Sequence, residues 1–497
     1  MRTTQVQRFY AGKTVLVTGG TGFLGNYLIE KLLRSCADIK KIYLLIRAKK
    51  GKTPEERLTG FLNNSVHKRL KQENPRVLEK LDVVTGDLEL PKLGLGDRDW
   101  ATIVEEVNCV FHVGATVKFT EELRRAILIN VGGTDSVVEL AKTMKHLQSF
   151  VHVSTAFSQC LREVTEETFY PTDEDGERLL EMARSLDRET MNDLSEAILD
   201  KWPNSYVFTK HIAEDLIKRK ADCLPIAVVR PSIVMSPYDV PVTCWASTFD
   251  PNSLLMGAIN MGLSHSLRCD PKHVVEFIPV DLVVNHAIVI GWSVGIRGAQ
   301  GPIPIYNCVS GQQNPITWGL QDEHRQKSEW VLPSSKKIFH SFMVYTTNRF
   351  VLQLVDLVYL PLIHVINSIS LLRGETHIIL IMYRKMKEFS KVVEFVTCRQ
   401  WNFKDDNTRA LWNSLDEDDR CLFNFDVKSI DWIVFSVQAV AGARINVLQD
   451  DLSSLSKAKR KSHLLKVFHY LLLVIYLSLF VFILYKSFYV CKSILSK

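Results

Sequence analysis

Thr18-Gly19-Gly20-Thr21-Gly22-Phe23-Leu24-Gly25 follows the apolar run Thr14-Val15-Leu16-Val17 and leads into Phe23–Leu33, where apolar residues recur at helical spacing. The order is strand, turn, helix. Gly19 suits the tight turn, Gly22 lets backbone come close to a pyrophosphate, and Gly25 removes the side chain where the helix must pack on the strand. The helix amino end adds N–H groups and a partial positive charge, so Thr18, Gly19, Gly20, Thr21, Gly22, Phe23, Leu24 and Gly25 are expected to hold a dinucleotide. A purely structural glycine turn is the plainer alternative.

The second apolar run, Ile42-Tyr43-Leu44-Leu45-Ile46, ends where a carboxylate would bind an unphosphorylated ribose, but the chain reads Arg47-Ala48-Lys49-Lys50. Arg47 and Lys50 would attract a 2′-phosphate, and no Asp or Glu stands in that stretch to repel it. The expected cofactor is NADPH. A third run, Leu81–Val84, ends in Thr85-Gly86-Asp87-Leu88, and a fourth, Cys109–Val113, ends in Gly114-Ala115-Thr116. In a doubly wound parallel sheet ligands lie outside the carboxyl ends of the strands, so Asp87 is expected near the adenine and Gly114-Ala115 beside the cofactor. Asp87 reads equally well as a turn or cap residue.

The next strand, Phe150-Val151-His152-Val153, delivers Ser154-Thr155, and after a charged insertion from about Glu163 to Asp200 comes Tyr206-Val207-Phe208-Thr209-Lys210. Residues four apart share a helix face, so Tyr206 and Lys210 can reach one cofactor. A free tyrosine titrates near ~10, and bringing it to ~7 takes about 4 kcal/mol of preferential phenolate stabilisation, which a close ammonium and an oxidised nicotinamide would help supply. Tyr206 is the expected proton donor to a carbonyl receiving hydride. Thr155, with Ser154 as its rival, would hold the carbonyl oxygen, and Lys210 would also bind the ribose.

These words make the chain resemble an extended short-chain dehydrogenase/reductase and, more narrowly, a fatty acyl-CoA reductase. The narrower likeness rests on Val110–Phe119 (VFHVGATVKF), His152–Phe157 (HVSTAF), Trp202–Lys210 (WPNSYVFTK), Val229–Val234 (VRPSIV), Ile278–Asp281 (IPVD) and Asn314–Trp318 (NPITW). It continues through Trp401-Asn402-Phe403, Leu422–Asp426 and Ser429–Trp432, which resemble that family's carboxy-terminal domain. The resemblance implies that Thr155, Tyr206 and Lys210 are catalytic, with Asn130 of Asn130-Val131-Gly132-Gly133-Thr134 as a further candidate or a mere helix cap or kink. It also implies Leu88, Thr116, Pro231 and Ile233 as cofactor neighbours. The reaction it implies is a four-electron reduction of a long-chain acyl-CoA through a hemithioacetal and an aldehyde to a primary alcohol. Gly114 replaces the family's usual alanine, and Ser236–Pro241 lacks its usual Pro-Gly-Trp word, which bears on chain-length preference.

The fold expected is α/β: a Rossmann-type doubly wound parallel sheet over residues 1–319 with a substrate lobe near Pro237–Lys272, a mainly helical domain over 320–455, and a membrane anchor over 456–497. With 497 residues and 46% apolar composition there is ample material for two domains, and a net charge of +6 is too small for this size to argue for nucleic acid. Ten cysteines without a C-x-x-C pair, and no metal spacing among Cys and His, give no metal site and suggest a reduced compartment. Val467–Tyr485 has no acidic or permanently cationic residue and is nearly long enough to cross ~30 Å of hydrocarbon. Lys457, Lys459, Arg460, Lys461 and Lys466 precede it, which orients the large amino-terminal part toward the cytosol. The apolar stretch Phe350–Leu372 contains Gln353, Asp356, Pro361, His364 and Asn367 and is expected to lie in the membrane interface rather than span it. The chain opens Met1-Arg2-Thr3-Thr4 without an apolar signal core and closes Leu495-Ser496-Lys497 without a Ser-Lys-Leu address, so the endoplasmic reticulum is expected over the peroxisome. Two other classes share these features: a membrane-anchored hydroxysteroid or sugar-nucleotide dehydrogenase, and a non-catalytic NADPH-binding scaffold.

Overall fold

The computed structural model describes residues 3–49, 51–239, 251–372 and 378–495. Seven strands form one sheet: β1 (Thr14–Thr18), β2 (Lys41–Ile46), β3 (Leu81–Thr85), β4 (Cys109–His112), β5 (Ser149–Val153), β6 (Ile226–Pro231) and β7 (Ile305–Cys308). Their order is β7-β6-β5-β4-β1-β2-β3, and every neighbouring pair runs parallel. Strands β1, β4, β5 and β6 are buried along their whole length, which is why their sequences read as continuous apolar runs rather than alternating ones. The chain builds outward from β1 to β3 and then returns to β4 on β1's other side. That reversal opens a crevice at the carboxyl ends of β1 and β4, where Thr18 pairs with His112.

The helix after β1 runs Phe23–Ser35 and buries Leu28, Ile29, Leu32 and Leu33. The Ser205–Lys220 helix starts sharply because Asn204 accepts the Val207 N–H at 3.0 Å, and its last turn carries Lys218, Arg219 and Lys220 against the negative end of the helix dipole. Helix Val280–Arg297 is apolar enough to be mistaken for a membrane span. It is instead a buried core helix, held by the Tyr10 hydroxyl donating to the Ile288 carbonyl at 2.8 Å.

Two compact units share the chain. One takes Met1–Trp245, His273–Thr317 and Phe395–Asp431; the other takes Ala246–Lys272, Trp318–Glu394 and Trp432–Lys497. The units interleave along the chain and differ in this from the consecutive division at 319 and 455 read from the sequence. Within the first unit, Asn402–Phe403 pairs in parallel with Val164–Thr165, and Asn407 donates to the Ile305 carbonyl at 2.9 Å, so residues 395–431 cover the β7 edge of the sheet. Residues 240–250 of the expected substrate lobe lie outside the described residues.

The second unit is mainly helical, with one parallel strand pair, Ser266–Arg268 against Val344–Thr346. Arg325, almost fully buried, pairs with Asp322 and Glu329, and Lys337 joins Glu329 and donates to Ser462 at 3.1 Å, which fastens the start of the Leu455–Leu495 helix. That helix exposes Phe468, Leu471, Val474, Leu477, Phe480 and Phe482, an apolar surface suited to lipid. Among the described residues, Arg349–Leu372 is also long and apolar enough to cross a membrane. It is one continuous helix despite Pro361, buries the stripe Tyr359, Ile363 and Asn367, and meets the carboxy-terminal helix through Tyr359–His469 and Tyr476–Val358 contacts.

Candidate active site

At the crevice the backbone of β1 and β4 comes so close that side chains are excluded. Gly19 has φ +72°, and a Cβ there would lie 2.6 Å from the Gly114 Cα; a Cβ on Gly25 would lie 2.3 Å from the Gly19 carbonyl oxygen. The Gly22 N–H closes the turn on the Gly19 carbonyl at 2.9 Å, and Gly22, as N-cap, leaves the helix end without a side-chain cap. Such an uncapped helix end beside closely approaching backbone fits a diphosphate. Thr18 does something else: its hydroxyl accepts the Gly114 N–H at 3.1 Å and bonds His112 Nδ1 at 2.7 Å, while His112 Nε2 meets Thr134. Burial, aided by the Lys210 charge, pushes His112 down to about 3 and keeps it neutral. Thr18 and His112 therefore stitch β1 to β4.

Along the β2–β3 side, Arg47 is not isolated from acids. Asp87 sits 3.1 Å and Glu89 3.9 Å from its guanidinium, both brought in by the loop after β3. A second guanidinium joins them: Arg57 donates to Thr21 Oγ1 at 2.8 Å and to the Arg47 carbonyl at 2.7 Å. Arg57 stands on helix Pro54–Leu62, whose Thr53/Glu56 capping box fixes where the helix begins. Lys50 lies outside the described residues. Leu88 fills the space opposite Gly114 and Gly133, where added Cβ atoms would meet it at 2.5 and 3.0 Å.

The strand β5 and the Ser205–Lys220 helix bring the remaining candidates together. Tyr206, in the first turn, packs on the cluster around Phe157, two residues beyond Thr155. Burial pushes its phenol up to about 12, and the Thr155 side chain acts in the opposite direction. Lys210, one turn on and buried, donates to the Val153 carbonyl at 2.7 Å; burial lowers it to about 8 against the pull of Glu214. Ser154 and Thr155 part company here. The Ser154 hydroxyl donates to Glu214 at 2.5 Å, whereas Thr155 sits at the mouth of β5, accepts the Phe157 N–H at 3.3 Å and faces the Pro231 carbonyl at 3.4 Å. Asn130 lies in a widened helical turn, Ile127–Gly132. Its amide accepts the Thr116 N–H at 2.9 Å and donates to the Thr116 carbonyl and, at 2.9 Å, to Thr209, so it brackets the post-β4 loop against the Tyr206 helix. Ile233 begins the short strand after Pro231 and packs, like Tyr206, on a cluster around Phe157 and Trp401.

Two adjacent hydroxyls in such different settings respond differently to removal. Thr155→Val is expected to lower kcat about 10²–10³-fold, the cost of one donor at a developing oxyanion. Ser154→Ala is expected to act on stability, by about 1 kcal/mol, through its lost bond to Glu214. Steady-state kinetics with thermal scans of both variants distinguish the two roles; an equal kcat loss at both sites would contradict them.

In class this is a Rossmann-type α/β fold, with a crevice at the switch point of its parallel sheet. Two family models described as male sterility protein match residues 17–287 and 357–450, the first an NAD-binding model. The chain is 35% identical over 483 residues to fatty acyl-CoA reductase wat of Drosophila melanogaster, covering 97% of this chain and 93% of the relative. It is 32% identical over 466 residues to fatty acyl-CoA reductase 1 of Rattus norvegicus, covering 94% and 90%. Among solved structures, the reductase domain of a nonribosomal peptide synthetase from Mycobacterium tuberculosis matches with TM-score 0.58 at 18% identity, over 88% of this chain and 92% of that one. The terminal R domain of the myxalamid pathway matches with TM-score 0.56 at 19% identity, over 88% and 93%. These structures share the fold. The chain belongs to the fatty acyl-CoA reductase family.

Proposed function

We propose that this protein reduces long-chain fatty acyl-CoA to the primary alcohol with NADPH, from a membrane anchor that leaves the reductase unit in the cytosol, on the endoplasmic reticulum. The observation that carries the reading is the Lys210 bond to the Val153 carbonyl, which seats the Tyr206–Lys210 helix on the carboxyl end of β5, beside Thr155 and in the sheet that bears the Gly19–Gly25 turn. Bound at the sheet-end crevice, NADPH would supply the hydride for the thioester carbonyl carbon. Thr155 and Tyr206 together present two O–H groups to the carbonyl oxygen, and Tyr206 gives up its proton as negative charge grows there. The hemithioacetal then breaks its C–S bond: its hydroxyl proton returns to the Tyr206 phenolate, and coenzyme A leaves as the thiolate and takes a proton from solvent, leaving an aldehyde. A second hydride and proton at the same two hydroxyls yield the alcohol. Lys210, charged below about pH 8, adds a positive field along the same helix face.

The paired guanidinium groups of Arg47 and Arg57 support the choice of NADPH, because a 2′-phosphate meeting both would offset the acids at Asp87 and Glu89. Arg57→Ala is expected to raise KM for NADPH about tenfold or more while leaving KM for NADH unchanged, since a charge-assisted bond contributes about 1.5–3 kcal/mol. Membranes carrying the protein, incubated with NADPH and acyl-CoAs of different length, test the reaction. The reading requires alcohol as product with two NADPH consumed per thioester; oxidation of a sterol or sugar nucleotide, or binding without turnover, would replace it. The basic run Lys457–Lys466 ahead of the apolar helix supports the cytosolic orientation.

A further inference from the structure

A cluster of rings packs beneath Tyr206 and comes from three distant parts of the first unit. Phe157, just after Thr155, meets Trp401 edge-on at 5.1 Å and Phe403 at 5.5 Å, and Trp401 stacks on Phe403 at 5.7 Å. These three are buried. The rim of the cluster is not: Tyr206, Ile233, Phe119 and Phe395 remain half-buried. Phe119 lies 5.7 Å from the Tyr206 ring at an interplanar angle of 30°, and 5.8 Å from Phe395 at 70°. Phe395 in turn packs edge-on against Phe157 at 6.3 Å.

The segments bearing these rings are fastened in place. Arg399 donates to the Cys160 carbonyl at 3.0 Å, tying the Phe395 segment to the stretch that follows Thr155, and Asn130 pins Thr116 ahead of Phe119. The Trp401 indole N–H is taken by the Val396 carbonyl at 2.9 Å, so this buried edge keeps no donor for a ligand. The side chains that pack beside Tyr206 on this rim, Ile233, Phe119 and Phe395, offer hydrocarbon and aromatic face. A polar substrate such as a hydroxylated sugar would lose water there without gaining partners, whereas an alkyl chain loses nothing by leaving water.

We propose that Phe119 and Phe395 form the wall on which the acyl chain rests where it joins the thioester, so that residues 395–403 supply part of the substrate site of the reductase unit. The proposal rests on the acyl-CoA reading above. In the membrane-embedded full chain, kinetics with palmitoyl-CoA and NADPH test it in Phe395→Ala, Phe119→Ala and the milder Phe395→Leu. Loss of one ring is expected to raise KM for palmitoyl-CoA about tenfold in each Ala variant, with kcat within about threefold, KM for NADPH unchanged, and Phe395→Leu intermediate. Unchanged KM for palmitoyl-CoA overturns the wall. So does a fall in kcat alone, which would mean that the rings only position the phenol. If the unsubstituted protein turns over another carbonyl but no acyl-CoA, the functional reading fails first and the wall with it; alcohol formed by the unsubstituted protein with flat KM in the variants sinks the wall alone.

Discussion

Tyr206→Phe is expected to lower acyl-CoA turnover by about 10³-fold or more while leaving the dissociation constant for NADPH within about twofold. Positioned proton transfer contributes about 10²–10⁴-fold, and in the proposed reaction Tyr206 would combine that donor role with one of the two hydroxyl contacts to the carbonyl oxygen. Burial pushes the phenol up, which favours the protonated form that a donor needs. The substitution removes a single oxygen. The ring keeps its contact with Phe119 and its place on the cluster around Phe157, so loss of fold cannot mimic loss of acid. Turnover of palmitoyl-CoA together with a fluorescence titration of NADPH gives both quantities; full residual turnover would remove Tyr206 from the acid role.

What the sequence makes legible, and what it hides, follows the range of the interactions involved. The Thr18–Gly25 turn announces itself because strand, turn and helix are contiguous, and the parallel sheet follows from apolar runs that alternate with helical patterns. Tyr206 and Lys210 are legible because one helix carries both. Choosing between Ser154 and Thr155 is beyond any local reading, because both directly follow the same strand and the partner that sets them apart, Glu214, lies 60 residues from Ser154. Arg57 is hidden likewise: its bond to Thr21 spans 36 residues, and the available signal was a capping box that set a helix one turn behind the basic stretch at Arg47. The Arg47–Lys50 stretch itself carries no acid, but Asp87 and Glu89 reach Arg47 from the neighbouring strand's loop, which a local reading does not show. The Trp401-Asn402-Phe403 word points to the family's carboxy-terminal region. Only the pairing with Val164–Thr165 shows that it completes the sheet-bearing unit.

Glu214→Ala is expected to destabilise the reductase unit by about 3–5 kcal/mol, the cost of stranding a buried charge. Arg230 is fully buried, and Glu214 binds it twice, at 3.0 Å through Nε and at 2.6 Å through Nη2. Without the carboxylate the guanidinium retains only the Glu166 and Thr168 carbonyls, each at 3.0 Å. The double change Glu214→Leu with Arg230→Met should recover much of the loss, because removing both charges also removes their desolvation penalty. Burial alone would raise the Glu214 carboxyl, but the Arg230 charge and hydrogen bonds from Arg230, Ser154 and Ser158 outweigh it, and the group is held below its usual range. A carboxyl depressed on folding contributes its stability above the unfolded value of about 4.3 and loses it as pH falls through the folded value. The gap between wild type and Glu214→Ala in thermal scans should therefore be full at neutral pH and shrink only in strong acid; a gap that grows on acidification would contradict the assignment. The same carboxylate holds Ser154 and Ser158 on either side of Thr155, so molecules of the variant that remain folded should also show a lower kcat, with KM for NADPH little changed.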